Sequence, residues 1–320
     1  MGSLYSEFKI FAGNGNPELA KEICDCLGVP LGDADVKKFS DGEIAVNIHE
    51  SVRGKDCYIV QSTCDPVNDN LMELCIMMDA MKRASAGRIN AVIPYYGYAR
   101  QDRTARPRDP ITAKLVAEIL QAAGAERVIT MDLHASQIQG FFDIPVDHLQ
   151  GNHLMVRYYQ KELKDKDLDL VVVSPDHGSV GRARNLAEPL GCPIAIIDKR
   201  RPRPNVSEIM NIIGDIEGKD CILVDDLVDT AGTICNAANA VKERGARSVR
   251  AIATHAVLSG PALERIEASA IDEMVFLNTI TLHEDKMLPK FKTLSVAKIF
   301  AEAISRVYYN QPLSELFDRF

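Results

Sequence analysis

Three carboxylates and two hydroxyls crowd into Val224-Asp225-Asp226-Leu227-Val228-Asp229-Thr230-Ala231-Gly232-Thr233. Carboxylates at that spacing suit sugar hydroxyls, which donate hydrogen bonds, or a metal ion. The small Ala231-Gly232 pair lets a turn aim its backbone N–H groups at one point. A helical pattern follows from Ile234 to about Arg244. A helix start carries N–H groups without intrahelical partners and the positive end of the helix dipole, which suit a phosphate. An ordinary N-cap would also use an Asp or a Thr. One cap does not need Asp225, Asp226 and Asp229 together, because neighbouring like charges repel. The stretch reads as a site for a phosphorylated sugar.

Other stretches gather chemistry-bearing residues where strands are expected to end. Residues 94–110 hold three tyrosines, four arginines and three prolines, with neither a helix nor a strand period. Loops of that length are usually functional or mobile. Asp132-Leu133-His134 follows one strand, and Asp176, in Pro175-Asp176-His177-Gly178, follows another. Asp198-Lys199-Arg200-Arg201-Pro202-Arg203-Pro204 reads as a second basic loop, stiffened by its prolines. Open α/β sheets bind ligands at the carboxyl ends of their strands. Acids with a histidine suit a hard cation such as Mg2+, which takes few protein oxygens and mostly substrate phosphates. Two basic loops suit a polyphosphate. A lone histidine is also commonly a hydrogen-bonded structural residue. The tyrosines either stack on a base or pack.

The elements that must position these groups alternate almost throughout. Strands are expected over residues 8–12, 36–39, 44–48, 57–61, 89–94, 127–131, 170–174, 193–197, 221–224, 248–254 and 274–277. Helices are expected over 17–27, 70–84, 111–123, 152–163, after the turn that ends at Gly178 to about Leu190, over 234–244, from a start at Ser259-Gly260-Pro261, and over 297–308. Ser40-Asp41-Gly42-Glu43 looks like a hairpin tip, and residues 143–147 like a connector between halves. The alternation predicts an α/β protein with mostly parallel sheets flanked by helices on both faces. The 320 residues allow two such units, divided near residue 148.

Composition narrows the class. The chain is 46% hydrophobic and 26% charged, an ordinary soluble balance. A net charge of −8 argues against non-specific nucleic-acid binding, though local basic clusters still suit an anionic ligand. No apolar run approaches the roughly 20 residues of a membrane span. Met1-Gly2-Ser3-Leu4-Tyr5-Ser6 has no signal-peptide pattern; it matches the bare myristoylation pattern without a supporting basic patch. Eight scattered cysteines without a CxxC pair point to reduced thiols and an intracellular, cytoplasmic protein.

Residues 224–233 resemble the phosphoribosyl-diphosphate loop of type I phosphoribosyltransferases. Further stretches carry a closer resemblance: Phe39-Ser40-Asp41-Gly42-Glu43, Pro94-Tyr95-Tyr96-Gly97-Tyr98-Ala99-Arg100-Gln101-Asp102, Asp132-Leu133-His134, Ser174-Pro175-Asp176 and Lys199-Arg200-Arg201-Pro202-Arg203-Pro204-Asn205. Together they resemble the bacterial-type (class I) ribose-phosphate pyrophosphokinase family over about residues 8–317. The resemblance implies two phosphoribosyltransferase-type, Rossmann-like domains. One is an ATP-binding domain over 1–148, on which a C-terminal helix over about 305–320 would pack. The other, over 149–304, carries the ribose-phosphate loop. The implied reaction moves the β,γ-diphosphoryl group of ATP to the 1-hydroxyl of ribose 5-phosphate and releases AMP, supplying nucleotide, histidine and tryptophan precursors.

By that resemblance, Asp225 and Asp226 accept hydrogen bonds from ribose hydroxyls. Asp229, Thr230, Ala231, Gly232 and Thr233 hold the 5-phosphate. His134 and Asp176 match Mg2+-associated positions. Lys199 matches the active-site lysine, and Arg201 its neighbour on the loop, also facing ribose 5-phosphate. ATP contacts map to Asp41, Gly42, Glu43, Arg100 and Gln101, with Phe39 stacking on adenine. The family implies a homohexamer, with the Asp41 region supplied by a neighbouring subunit, phosphate as activator and ADP as inhibitor; Arg53 is a candidate for anion regulation. Thr104, His177, Ser179 and Ala256 depart from the family pattern, and Ser179 stands where glycine is usual, which puts the geometry of that turn in question. Three rivals remain: a phosphoribosyltransferase that consumes the diphosphate, a catalytically silent associated protein, and a sugar-phosphate binding module.

Overall fold

The computed structural model describes residues 8–162, 168–200, 209–314 and 316. Met1-Gly2-Ser3, the expected helix end at Leu163, Arg201 with the rest of the second basic loop, and the chain from Phe317 lie outside the described residues. Two compact units emerge. Unit 1 is built from the chain up to Gln150, from Thr279–Thr281 and from the chain from Ser295 onward; unit 2 is built from Gly151–Asn278 and Leu282–Leu294.

Unit 1 opens with β1 (Lys9–Ala12) and α1 (Pro17–Leu27). Asn16 starts the helix by accepting the Leu19 N–H at 3.1 Å, Pro17 sits where a missing N–H is harmless, and Gly28 ends it at φ +68°. β2 (Ala34–Lys38) and β3 (Ile44–Ile48) pair antiparallel as a separate ribbon. β4 (Asp56–Val60), α2 (Val67–Arg83), β5 (Arg88–Ile93), α3 (Thr112–Ala123), β6 (Arg127–Met131) and β7 (Val146–Leu149) follow. The sheet runs β1-β4-β5-β6-β7 and is parallel throughout. β7 replaces the connector expected over 143–147. Its Asp147 takes Arg127 at 2.6 Å, and its His148 Nε2 accepts the Leu133 N–H at 2.9 Å, so polar side chains fill a short edge strand that shows no apolar pattern.

Unit 2 holds α4 (Asn152–Glu162), β8 (Leu170–Ser174), α5 (Val180–Leu190), β9 (Ile194–Arg200), β10 (Ile209–Ile213), β11 (Asp220–Val228), α6 (Gly232–Glu243), β12 (Ser248–Ala256), α7 (Ala262–Ala268), β13 (Glu273–Leu277) and β14 (Phe291–Leu294). Its sheet runs β10-β9-β8-β11-β12-β13-β14, parallel except for β10 against β9. The expected second basic loop needs correcting here. Asp198, Lys199 and Arg200 lie inside β9 and pair with Asn211, Met210 and Ile209 of β10. The expected strand 221–224 also runs on, to Val228. α8 (Ala297–Tyr308) returns the chain to unit 1. That return begins at Ser295 rather than near 305, because α8 buries Ile299, Phe300, Ala303 and Ile304 and packs on α1.

The alternating α/β architecture with helix-flanked, mostly parallel sheets is thus present in both units. Among the described residues, no helix is long and apolar enough to cross a membrane. All eight cysteines are unbridged thiols. Burial inside strands pushes the thiols of Cys57 and Cys221 up to about 12.

Two edges matter for function. In unit 2, the chain goes from β8 to β9 on one side and from β11 to β12 on the other. Right-handed crossovers then put α5 and α6 on opposite faces, leaving a crevice between the carboxyl ends of β8 and β11. In unit 1, β4, β5, β6 and β7 progress in one direction, and the carboxyl edge fills itself. Glu73, 4% exposed on α2, takes the Asn14 N–H at 2.5 Å and Gln61 Nε2 at 2.8 Å on one oxygen, and Asn14 Nδ2 at 2.8 Å on the other. Gln61 Oε1 accepts the Gly15 N–H at 2.8 Å. A Cβ on Gly13 would lie 2.5 Å from Gln61 Oε1, and one on Gly15 would lie 2.3 Å from the Ser62 carbonyl oxygen. The glycines of Gly13-Asn14-Gly15-Asn16 therefore serve close approach. The Ser62 hydroxyl donates to the Thr279 carbonyl at 2.6 Å, and the Thr281 hydroxyl donates to Asn16 Oδ1 at 2.9 Å.

Candidate functional site

The acids of unit 2 stand in that crevice because two strands end at different heights. β11 pairs with β8 only as far as Leu223↔Val173, but with β12 as far as Val228↔Ala256. Asp225 and Asp226 occupy the part of β11 that has outrun β8. A carboxylate is tolerable in a strand there because one side has no neighbouring strand.

The turn after β8 supplies their partners. Asp176 Oδ1 accepts the Ser179 N–H at 3.0 Å. The Ser179 hydroxyl donates to Asp225 Oδ1 at 2.8 Å, and the Asp226 N–H donates to the same oxygen at 2.9 Å. Arg182, one turn into α5, stands 3.5 Å from Asp226 Oδ1, and Asp226 is 3% exposed. Burial, then the neighbouring Asp226, raise the Asp225 carboxyl well above its ordinary 3.8, although the Ser179 hydrogen bond pulls the other way. Such a pair of acids favours ligands that donate hydrogen bonds or carry positive charge.

The phosphate-sized turn follows. No side chain caps α6; Ala231 precedes it at φ +58° and ψ 4°. That left-handed conformation costs an alanine about 1 kcal/mol. It turns the chain sharply after Thr230, and the Cys235 N–H makes the first helical bond, to the Ala231 carbonyl at 3.0 Å. The amides of Gly232, Thr233 and Ile234 precede that bond, so the helix offers them no acceptor. Outside contacts brace the turn. The Ser259 hydroxyl donates to Asp229, and Arg265 donates to the Thr230 carbonyl at 2.9 Å. Asp225, Asp226, Asp229, Thr230, Ala231, Gly232 and Thr233 thus lie along one continuous edge of unit 2, with Asp176 joined to Asp225 through Ser179.

Lys199 sits near the end of β9, beside β8 in the sheet. Asp198, just before it, is 8% exposed, and His177 Nε2 lies 3.0 Å from Asp198 Oδ1. In unit 1, Phe39 is 60% exposed at the end of β2. Gly42, at φ +95°, makes the tight tip that joins β2 to β3, with its N–H on the Phe39 carbonyl at 2.9 Å. Asp41 Oδ1 accepts the Glu43 N–H at 3.1 Å. Arg100 is exposed, and Gln101 accepts the Thr112 hydroxyl at 2.6 Å at the start of α3. Tyr95 and Tyr96 are buried at 6% and 2% exposure, so these two tyrosines of the expected loop pack. His134 is exposed after β6. Among the described residues, no three His, Cys, Asp or Glu side chains gather as a metal cage.

Comparison with known proteins agrees with this geometry. A ribose-phosphate pyrophosphokinase of Clostridium perfringens is 68% identical over 310 residues, spanning 97% of each chain. The chain belongs to the ribose-phosphate pyrophosphokinase family. The Bacillus subtilis ribose-phosphate pyrophosphokinase is 63% identical over 310 residues, 97% of this chain and 96% of that one. The family model for the N-terminal domain of ribose phosphate pyrophosphokinase matches residues 8–124, and that for the phosphoribosyl synthetase-associated domain matches residues 198–318. A crystal structure of phosphoribosylpyrophosphate synthetase from Mycobacterium smegmatis superposes with a TM-score of 0.90 at 45% identity, covering 95% of this chain and 100% of that one.

Within this ribose-phosphate pyrophosphokinase fold, sequence reading missed Arg182, Ser259 and Arg265, and treated Ser179 only as a departure. The turn geometry needs no glycine at that place, since Ser179 has φ −93°. Asp176 followed three residues later by Ser179, ahead of a helical pattern, was the usable signal. Nothing local announces Arg182, Ser259 or Arg265.

Proposed function

We propose that the chain transfers the β,γ-diphosphoryl group of ATP to the 1-hydroxyl of ribose 5-phosphate, forming 5-phosphoribosyl 1-diphosphate and AMP. The observation that carries the reading is the pairing, on one strand end, of two restrained carboxylates with an uncapped helix start. Asp225 and Asp226 accept hydrogen bonds from ribose hydroxyls. The amides and hydroxyls of Asp229, Thr230, Ala231, Gly232 and Thr233 receive the 5-phosphate. The 1-hydroxyl oxygen then attacks the β-phosphorus, the bond from that phosphorus to the α-phosphate bridge breaks, and the hydroxyl proton is released. Positioning and charge stabilisation supply most of the rate in such transfers.

Unit 1 is the nucleotide side of this proposal. Asp41, Gly42, Glu43, Arg100 and Gln101 contact ATP, and the exposed ring of Phe39 stacks on adenine. Lys199 and Arg201 stabilise the transferring diphosphoryl group. The carboxylate of Asp176 is the kind of donor Mg2+ takes, and a cation arriving on ATP phosphates needs only one or two protein ligands. His134 and Asp176 are the proposed positions, and the ion would offset negative charge on the phosphates. Self-association into a hexamer, with phosphate and ADP as effectors, belongs to the same proposal, as does a cytoplasmic location beside the ATP pool. The apolar stripe of Ile111, just before α3, and Leu115 and Ile119 on it, 40%, 52% and 37% exposed, supports a self-associating surface.

The test is AMP release with ATP, ribose 5-phosphate and Mg2+ as the only additions, run with and without inorganic phosphate. Stoichiometric AMP and phosphoribosyl diphosphate are expected. A phosphoribosyltransferase, a silent associated protein or a binding module releases no AMP under these conditions, and that result rejects the reading.

A further inference from the structure

We propose that Ser179 is a positioning residue for the acceptor sugar, acting by locking the plane of the Asp225 carboxylate. The proposal rests on reading Asp225 as an acceptor of ribose hydroxyls. Ser179 is 2% exposed and stands at the mouth of the β8–β11 crevice. Its hydroxyl reaches across 46 positions of sequence to Asp225 Oδ1 at 2.8 Å. The Asp226 N–H meets that same oxygen at 2.9 Å. Two donors converging on one oxygen hold the carboxyl group against rotation, because turning it breaks both bonds. Oδ1 is thereby held by the protein, and the orientation of the whole carboxylate toward a ligand hydroxyl is preset.

The backbone gives Ser179 no other reason to be serine. Its φ of −93° suits any residue. Its N–H is already directed to Asp176 Oδ1 at 3.0 Å. The same residue therefore ties the acid that follows β8 to the acid on β11, and the two edges of the crevice keep a common geometry. A preset acceptor spares the sugar the ordering of a mobile carboxylate at binding.

The experiment is steady-state kinetics on the full-length enzyme, varying each substrate in turn. Ser179→Ala is expected to raise KM for ribose 5-phosphate about tenfold, the scale of one lost hydrogen bond to a charged group. KM for ATP should stay within about twofold, and Ser179→Thr, which keeps a hydroxyl, should recover most of the loss. In an Asp225→Ala background, removing the Ser179 hydroxyl should have no further effect. Ser179→Gly serves as a second deletion of the hydroxyl if the alanine variant unfolds early in a thermal melt. An unchanged KM for ribose 5-phosphate, equal shifts for both substrates, or an undiminished effect without Asp225 each overturn the proposal. Wild-type AMP release in the same assay separates this outcome from failure of the reaction itself.

Discussion

In unit 1, Asp56 opens β4 and receives the guanidinium of Arg88, which opens β5. In unit 2, Asp220 opens β11 and receives Arg247, with the Ser248 hydroxyl at 2.6 Å, where β12 begins. The amino edges of both sheets are clasped alike. Their carboxyl edges differ. In unit 1 Glu73 satisfies Asn14 and Gln61, and Gln61 in turn accepts the Gly15 N–H, so its polar groups hold one another. Unit 2 sets Asp225 beside Asp226 and leaves an αL turn ahead of an uncapped helix. A polar edge that completes itself stabilises the fold. One that keeps like charges together gives up stability, and binding can restore it. On the proposed reading, a ligand meets unit 1 at its ribbon tip, at the Arg100 segment and at His134 rather than at the Glu73 cluster.

The contrast can be broken most directly at Lys199. Lys199→Ala should lower kcat by roughly a hundredfold or more, the scale of losing a charge that stabilises a transition state. Ribose 5-phosphate affinity, measured by calorimetry, should change only a few-fold. Near-normal turnover would remove β9 from the working edge. Next is Asp225→Asn, which should weaken ribose 5-phosphate by roughly ten- to a hundredfold. The same variant should melt higher at alkaline pH, and the sign follows from linkage. The folded-state Asp225 carboxyl sits above its unfolded value, so between the two the native state binds more protons. Stability is then lost as pH rises through that interval, and asparagine abolishes the loss. A pH series of thermal melts on both proteins reads this directly.

The self-satisfied edge predicts the reverse pattern. Glu73→Ala strands the Asn14 N–H and removes one of the two acceptors of Gln61 Nε2, which keeps the Asn70 carbonyl, and should cost about 3 kcal/mol in denaturant unfolding. The enzyme that remains folded should show an unchanged KM for ribose 5-phosphate. The smallest effect belongs to the shared clasps. Burial pushes the Asp220 carboxyl up, but hydrogen bonds from Arg247 and Ser248 outweigh it and leave it below the ordinary range. Its contribution is present above the unfolded value and is lost as pH falls through the folded one. Arg247 and Arg88 are 49% and 39% exposed, but their partners Asp220 and Asp56 are only 2% and 12% exposed, so alanine at either should cost about 1–2 kcal/mol. Unequal losses at the two positions would show that the amino edges are not equivalent.

Residues 224–233 were legible because repelling acids beside Ala231-Gly232 have no economical structural reading. The βα alternation was legible because buried parallel strands such as Asp56–Val60 leave short apolar runs between helical periods. The short edge strand β7 carries polar residues that satisfy local partners, and β14 exposes its Lys292 and Thr293, so neither leaves such a trace. Lys199 looked like loop because proline and arginine dominate the chain after it, whereas its strand depends on pairing with β10. Ser179 and Arg182 escaped for another reason. Their partners lie over 40 positions away, and only the adjacency of β8 and β11 joins them.

The interrupted composition of unit 1 bears on how the protein is made. α1 packs on α8, and Phe8 meets Tyr308 with ring centroids 4.9 Å apart. α8 leaves the ribosome only after every strand of unit 2. At ~5–20 residues per second, β7 waits roughly ten seconds or more for it. For that time, α1 lacks the helix it packs on, while unit 2 up to Asn278 is being completed. A nascent chain stalled before Ser295 should expose an apolar face on its first unit, and a trigger-type chaperone or a protease should find it there.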